Sequence, residues 1–377
     1  MKEKDLSFYN QLVLRSSYYP YSKLNEGRFE QVVQEPAFRE ALYLASPVLY
    51  KELCKAEQGS GLLAEEHERI RETVYKYYLR MHSRTTPFGL FAGCSMMHWG
   101  DQSEVILKEG AHNKTVRLDN QVIGLLSETL VSRYQLWPHL LYRANSSLYT
   151  IGDEYRYIER IAGVKGQTYE VSSVEMTHEI SIILQAARSP VTPLVLSRQI
   201  ISDQVSAEEA LALVEQMIEM QLLESELQPP LTGADYYSEL VATLQRLDAE
   251  VPNLLPQDVM QGLQHILQLL SASEQETSNP FEQYEAIEQA LKQLLPEQKL
   301  PTLFAVNLSP QLIEGSLRRS WQQQLLRVTD MLAYFVKPDE LRLRQFKKAF
   351  AERHDQQMAP LLQLLDPETG IGYHQIG

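Results

Sequence analysis

HSRTTPFGLFAG, residues 82–93, follows a segment of helical periodicity and packs hydroxyls, a proline, two glycines and two phenylalanines behind an arginine. Upstream, Leu63, Ile70, Val74, Tyr77 and Tyr78 recur at helical spacing, and Glu65, Glu66 and Glu68 crowd the start, so a helix is predicted over Leu62–Ser83. Pro87 pushes Thr86 out of the helical region, and Gly89 admits backbone conformations that other residues resist. The helix therefore ends near Arg84. Arg80 and Arg84, four apart, share a face of it, whereas His82 points elsewhere. A guanidinium cannot act as a general base, but it holds a phosphate or carboxylate bidentately and stabilises a developing oxyanion. With the Thr86 hydroxyl beside them, the two arginines read as an anion clamp; the alternative is that they only face the last helix carbonyls.

Working outward, LSFYNQLVLRSSYYPY near the N-terminus suits a strand running into a turn, and Leu90–Trp99 and Ser103–Leu107 read as strands. Val116–Leu126 begins extended and turns helical after Asp119. From Leu140 to Glu226 the chain reads as one module. Its strands are Leu140–Thr150, Glu154–Ile161 and Gly166–Ser172, and its helices Val174–Ala187, Pro193–Ile201 and Ala207–Leu222. Ser206 and Glu209 form a capping box for the last helix, whose apolar stripe is Leu211, Val214, Met217, Ile218 and Leu222. This order is that of a winged-helix-like unit. Its third helix carries Glu208, Glu209, Glu215 and Glu219 and no Lys or Arg, a surface that repels phosphates and leaves DNA binding the weakest reading. An exposed sheet edge beside it could capture an extended peptide by strand addition.

Pro229-Pro230 with Thr232-Gly233 marks a linker. Residues 236–295 read as helices broken by a polar loop near Ser271–Pro280, Leu303–Leu308 as a strand, and Ser316–Phe335 and Asp339–Arg353 as helices. The fold class is α+β with several subdomains: residues 1–139 around the TPFGLFAG motif, 140–228 the winged-helix-like module, and 229–377 a mostly helical continuation.

Net charge is −14, yet residues 1–120 balance 16 basic against 16 acidic side chains while 121–377 hold 19 against 33. The excess acid lies in the later part, so a local basic site in the first third is permitted. A second basic cluster, Lys337, Arg342, Arg344, Lys347, Lys348 and Arg353, could form another such site but reads more readily as a solvated helix face. The two cysteines are too few for a disulfide framework. No apolar run reaches the roughly 18 residues of a membrane span and no signal peptide precedes the chain, which reads as cytoplasmic. Zinc-protease, P-loop and GxSxG hydrolase signatures are absent. Gly370-Ile371-Gly372-Tyr373 is a weak phosphate-loop signal, and Asp366–Gly370 reads better as a tight turn.

The string Arg80-x3-Arg84-x-Thr86-Pro87-Phe88-Gly89-Leu90-Phe91-Ala92-Gly93 resembles the signature of the N-terminal region of the LanB-type lantibiotic dehydratases. In the same order follow or precede it Leu14-Arg15, Arg117-Leu118-Asp119, Asn145-Ser146-Ser147-Leu148-Tyr149, Pro360-Leu361-Leu362 and Leu365–Tyr373. The resemblance implies a glutamylation domain, in which a Ser or Thr hydroxyl of a ribosomal precursor peptide attacks the aminoacyl ester of glutamyl-tRNA before the glutamate is eliminated. It assigns glutamyl transfer to Arg80, Arg84, Thr86 and Arg15. Arg117, Asp119 and Arg143 are candidate substrate or tRNA contacts, with helix capping the alternative for Asp119.

The resemblance also implies that the 140–228 module is a leader-recognition element, the leader lying antiparallel beside the third strand and against the third helix, on Tyr169, Val171, Val214 and Met217. Implied partners are the precursor leader, glutamyl-tRNA as co-substrate without a further cofactor or metal, a cyclase, a separate elimination domain and a second copy in a homodimer. Two positions depart from the pattern: Ser17 stands where a proline is common, and Asn307 after Val306 where an acid is common. A chain stopping just past Gly372-Tyr373 is expected to be a truncated or split member, inactive alone. A non-catalytic peptide-binding protein is the competing expectation.

Overall fold

The computed structural model describes residues 7–59, 63–163, 166–230, 235–275, 280–296, 302–335, 340–355 and 357–372. In chain order the elements are β1 (Gln11–Ser17), α1 (Phe29–Val33), α2 (Pro36–Ala45), α3 (Pro47–Glu57), α4 (Ala64–Ser83), β2 (Ala92–Gly100), β3 (Glu104–Leu118) and α5 (Asn120–Arg133). Next come β4 (Tyr142–Ala144), β5 (Tyr149–Ile151), β6 (Glu154–Gly163), β7 (Gly166–Glu175), α6 (His178–Ala186), α7 (Pro193–Ser197), α8 (Ala207–Glu219) and β8 (Leu223–Ser225). The chain continues through α9 (Tyr236–Glu250), α10 (Gln257–Ser273), α11 (Pro280–Leu294), β9 (Phe304–Arg318), α12 (Ser320–Phe335), α13 (Glu340–His354) and α14 (Leu361–Leu365). The α+β class read from the sequence is the class observed. No described helix is long and apolar enough to cross a membrane.

Two compact units form. The first comprises Met1–Leu126, Leu231–Gln245 and Leu255–Met331, the second Ser127–Pro230, Arg246–Leu254 and Leu332–Gly377. The segment 229–377, read from sequence as one continuation, thus divides between them, because long-range pairing and not chain order decides where its elements pack.

In the first unit a four-stranded sheet runs β1-β2-β9-β3. β1 and β2 are antiparallel, with Arg15 opposite Cys94. β9 joins β2 in parallel at His98–Gly100 and β3 antiparallel from Glu104 to Leu118, with register shifts between Ile106 and His112. Both β3 and β9 are far longer than their sequence readings, Ser103–Leu107 and Leu303–Leu308. Each ladder supplies the other's partner, so polar stretches that carry no strand pattern are held extended. Ser316–Arg318, expected to open a helix, instead pair with β2, and α12 starts only at Ser320. Against the sheet, α4 buries Ile70, Val74, Tyr78 and Met81 at spacings of four, four and three, together with Phe29, Val32, Phe38, Leu42 and Phe91. The Glu66 carboxylate accepts the Leu63 N–H at the start of α4.

Gly93, the last residue of the motif, lets β2 approach β9: a Cβ there would lie 2.1 Å from the Leu308 carbonyl oxygen. Gly93→Ala is therefore expected to destabilise the first unit by about 2 kcal/mol through overpacking against immovable backbone. Denaturant unfolding checks this, and an unchanged midpoint would show that the strands can part at no cost.

In the second unit the sequence-read strand Leu140–Thr150 is divided. β4 pairs with β8, setting Arg143 opposite Glu224, while β5 opens the sheet β5-β6-β7. β7 runs on to Glu175, opposite Glu154, so α6 begins later than expected, with the Thr177 hydroxyl accepting the Ile180 N–H. The Ser206/Glu209 capping box starts α8, whose Ala210, Val214 and Met217 face inward. The turn Asp366–Gly370 closes on itself: Asp366 Oδ1 accepts the Glu368 and Thr369 N–H groups at 3.0 and 2.8 Å.

Candidate functional site

Helix α4 ends where Pro87 and Gly89 require it to end. Arg84 is its C-cap residue: its N–H donates to the Arg80 carbonyl at 3.1 Å while its backbone turns extended, with φ −107° and ψ 124°. Phe88 to Ala92 then make a tight turn. The Phe91 N–H donates to the Phe88 carbonyl at 3.0 Å, the Phe88 N–H to the Ala92 carbonyl at 3.4 Å, and Gly89 takes a φ of 50°.

The end of β1 is tied into the same corner. The Tyr18 N–H donates to the Phe91 carbonyl at 2.9 Å, and the Tyr19 N–H donates to the Met81 carbonyl at 3.0 Å. Arg80, Arg84 and Thr86 share this helix-end corner of the first unit, whereas Arg15 is exposed on β1 opposite Cys94, on the sheet face away from the buried Ser95 and Met97. Among the described residues no carboxylate pairs with any of these three arginines. Arg84 and Thr86 are exposed on the rim; Arg80 is half-buried, with its guanidinium carbon 4.2 Å from the Phe88 ring centroid and its Nε buried without an acceptor.

His82 belongs to the core beneath this corner. Its Nδ1–H donates to the Tyr78 carbonyl at 3.0 Å, and its ring stacks on Tyr19 with centroids 4.9 Å apart. Burial pushes its pKa below the ordinary histidine value, the Tyr78 carbonyl opposes that, and the nearby Arg28 guanidinium adds to the lowering. A neutral ring engaged on both sides anchors the helix end and is not placed to shuttle protons. Tyr19 carries its hydroxyl to Glu35, and burial with that carboxylate raises its pKa. Arg28 and Phe88 were not singled out in the sequence; nothing in local spacing marks Arg28, since only the tertiary fold brings it to His82.

The remaining candidates lie elsewhere. Arg117 stands on β3 opposite Ala305, on the sheet strand furthest from β1. Asp119 caps α5: its Oδ1 accepts the Gln121 N–H at 2.9 Å, and among the described residues its carboxylate makes no ion pair. Arg143, in the second unit, reaches Glu224 at 3.8 Å across the β4–β8 pair. Asn307 is exposed on β9 opposite Thr115. Of the second basic cluster, Lys337 lies outside the described residues, as does Tyr373 of the C-terminal glycine motif.

On β7, Tyr169 and Val171 are 60% and 44% exposed and share one face of the strand. Among the described residues β7 pairs only with β6, leaving its other edge open. Val214 and Met217 require a correction: they are 0% and 1% exposed, so they belong to the core of the second unit and cannot touch a bound peptide in this conformation. The stripe that suggested them is the stripe by which α8 packs.

The family model described as "Lantibiotic dehydratase, N terminus" matches residues 34–376. The subtilin biosynthesis protein SpaB of Bacillus subtilis is 24% identical over 353 residues, covering 89% of this chain and 32% of its own length. The nisin biosynthesis protein NisB of Lactococcus lactis is 25% identical over 353 residues, covering 91% and 33%. The chain thus spans about a third of the length of the curated relatives it matches. Among solved structures, the tRNA-dependent lantibiotic dehydratase MibB from Microbispora superposes with a TM-score of 0.77 at 24% identity, over 97% of this chain and 35% of that one. The glutamylation domain TbtB from thiomuracin biosynthesis, bound to 5'-phosphodesmethylglutamycin, superposes with a TM-score of 0.61 at 18% identity, over 89% and 41%. A family match running through the motif corner, the open β7 edge and the Asp366 turn means that this chain belongs to the lantibiotic dehydratase N-terminal family.

Proposed function

We propose that the chain contributes the glutamyl-transfer site of a cytoplasmic, tRNA-dependent peptide dehydratase. The observation that carries this reading is the helix-end corner of Arg80, Arg84 and Thr86, two cations without a protein anion among the described residues; Arg15 joins the site only through the family resemblance. A fold likeness to a tRNA-dependent dehydratase and to a glutamylation domain supports it.

In the reaction, the oxygen of a peptide Ser or Thr hydroxyl attacks the ester carbonyl of glutamyl-tRNA. The tetrahedral intermediate collapses with loss of the tRNA ribose oxygen, which takes up the proton, and the glutamyl ester now sits on the peptide. Negative charge develops on the carbonyl oxygen, where a preorganised guanidinium is worth most. The other arginines meet the glutamyl carboxylate and the terminal phosphates. Thr86 donates a hydrogen bond at the same rim.

The open edge of β7 supports leader binding: an extended peptide added there completes backbone hydrogen bonds, and Tyr169 and Val171 contact alternate side chains. The same edge would serve a non-catalytic peptide-binding protein. Incubating the full-length protein with its precursor peptide and glutamyl-tRNA labelled in the glutamate separates the two. Label is expected on the peptide as an alkali-labile ester; peptide binding without label transfer would overturn the enzymatic reading and leave the binding one.

A further inference from the structure

The ring of Phe88 is 40% exposed at a position where the surrounding turn leaves it little freedom. Pro87 precedes it, Gly89 follows with φ 50°, and its own N–H and carbonyl are both engaged within the turn. The ring is therefore held as a shelf, and what rests on it is Arg80, with 4.2 Å between guanidinium carbon and ring centroid. Arg80 Nε, meanwhile, is buried with no acceptor. With Nε enclosed and the residue as a whole half-buried, an arriving anion meets the guanidinium through its terminal nitrogens, where no carboxylate competes among the described residues. Removing water from one face of the guanidinium also strengthens its attraction for that anion.

We propose that Phe88 is a positioning residue for Arg80, fixing the plane of the guanidinium so that it meets the anionic group of the aminoacyl-nucleotide without reorganisation. This rests on the glutamyl-transfer reading and adds a residue to it. Phe88 acts through Arg80, so the two side chains should be coupled in binding.

The probe is 5'-phosphodesmethylglutamycin, the small ligand carried by the TbtB glutamylation domain. It is titrated by calorimetry into the 377-residue chain and its Arg80→Ala, Phe88→Ala, Phe88→Tyr and Arg80→Ala/Phe88→Ala variants. Phe88→Ala is expected to weaken binding roughly fivefold, and Phe88→Tyr to restore it, since an aromatic face is what Arg80 needs. In the Arg80→Ala background, removing Phe88 is expected to cost nothing more. An equal loss in both backgrounds, or a Phe88→Ala variant that binds as the parent does while Arg80→Ala does not, overturns the positioning role alone. If the parent chain does not bind the probe, or Arg80→Ala leaves binding unchanged, the anion clamp falls and the role of Phe88 falls with it.

Discussion

Arg84→Ala in the full-length protein is expected to lower glutamyl transfer to the precursor peptide by roughly a hundredfold, the scale of losing one preorganised charge donor at a developing oxyanion. Arg84 is the cleaner of the two helix-end arginines for this measurement. It is exposed, and among the described residues its guanidinium makes no hydrogen bond or ion pair, so truncating it removes no structural contact. The unfolding midpoint should therefore stay where it is while the rate falls. Arg84→Lys keeps the charge but not the planar fork, and should recover only part of the rate. Single-turnover transfer of labelled glutamate reads both variants. Unchanged transfer in Arg84→Ala would overturn the clamp of Arg80 and Arg84.

The second large effect concerns stability and lies in the second unit. Arg156 and Asp366 are 7% and 1% exposed, and Arg156 Nη1 lies 3.1 and 3.0 Å from the two Asp366 oxygens. Asp366 also accepts the Tyr149 hydroxyl at 2.7 Å and the Thr369 hydroxyl at 3.0 Å. Burial alone would raise the Asp366 pKa, but the Thr369 and Glu368 N–H groups and the Tyr149 hydroxyl hold it far below the usual carboxylate range. Asp366→Ala would strand a buried guanidinium and open the turn, an expected loss of about 3 kcal/mol, the lower end of the range for breaking a buried pair. The lower end applies because Arg156 keeps Glu154 at 3.1 Å and Glu368 at 2.8 Å, both more exposed. Denaturant unfolding of Asp366→Ala, of Arg156→Met and of the double variant tests the pair. If the two single losses simply add in the double variant, the side chains are not coupled and this account of the turn fails.

Much of the site was legible because its determinants are local. Where α4 stops depends on Pro87 and Gly89, and the placement of Arg80 against Arg84 depends on a spacing of four. The capping of α5 by Asp119 and of α8 by Ser206 follows from side chains a few residues from the amides they serve. Local rules also misled where packing decides. The stripe holding Val214 and Met217 has a helical period whether it faces a ligand or a core, and only the observed burial separates the two.

By itself, then, the sequence determined the α+β class, the helix end that presents the arginines, the Asp366 turn and the family. Tertiary structure alone decided what joins over distance. It lengthened β3 and β9 by pairing them with each other and split residues 229–377 between two units. It brought the Asn145–Tyr149 fragment to the Asp366 turn through one hydroxyl, across a separation of 217 residues. Contacts of that separation cost chain entropy that no local preference repays, so they exist only where the assembled core supports them, and no window of residues encodes them.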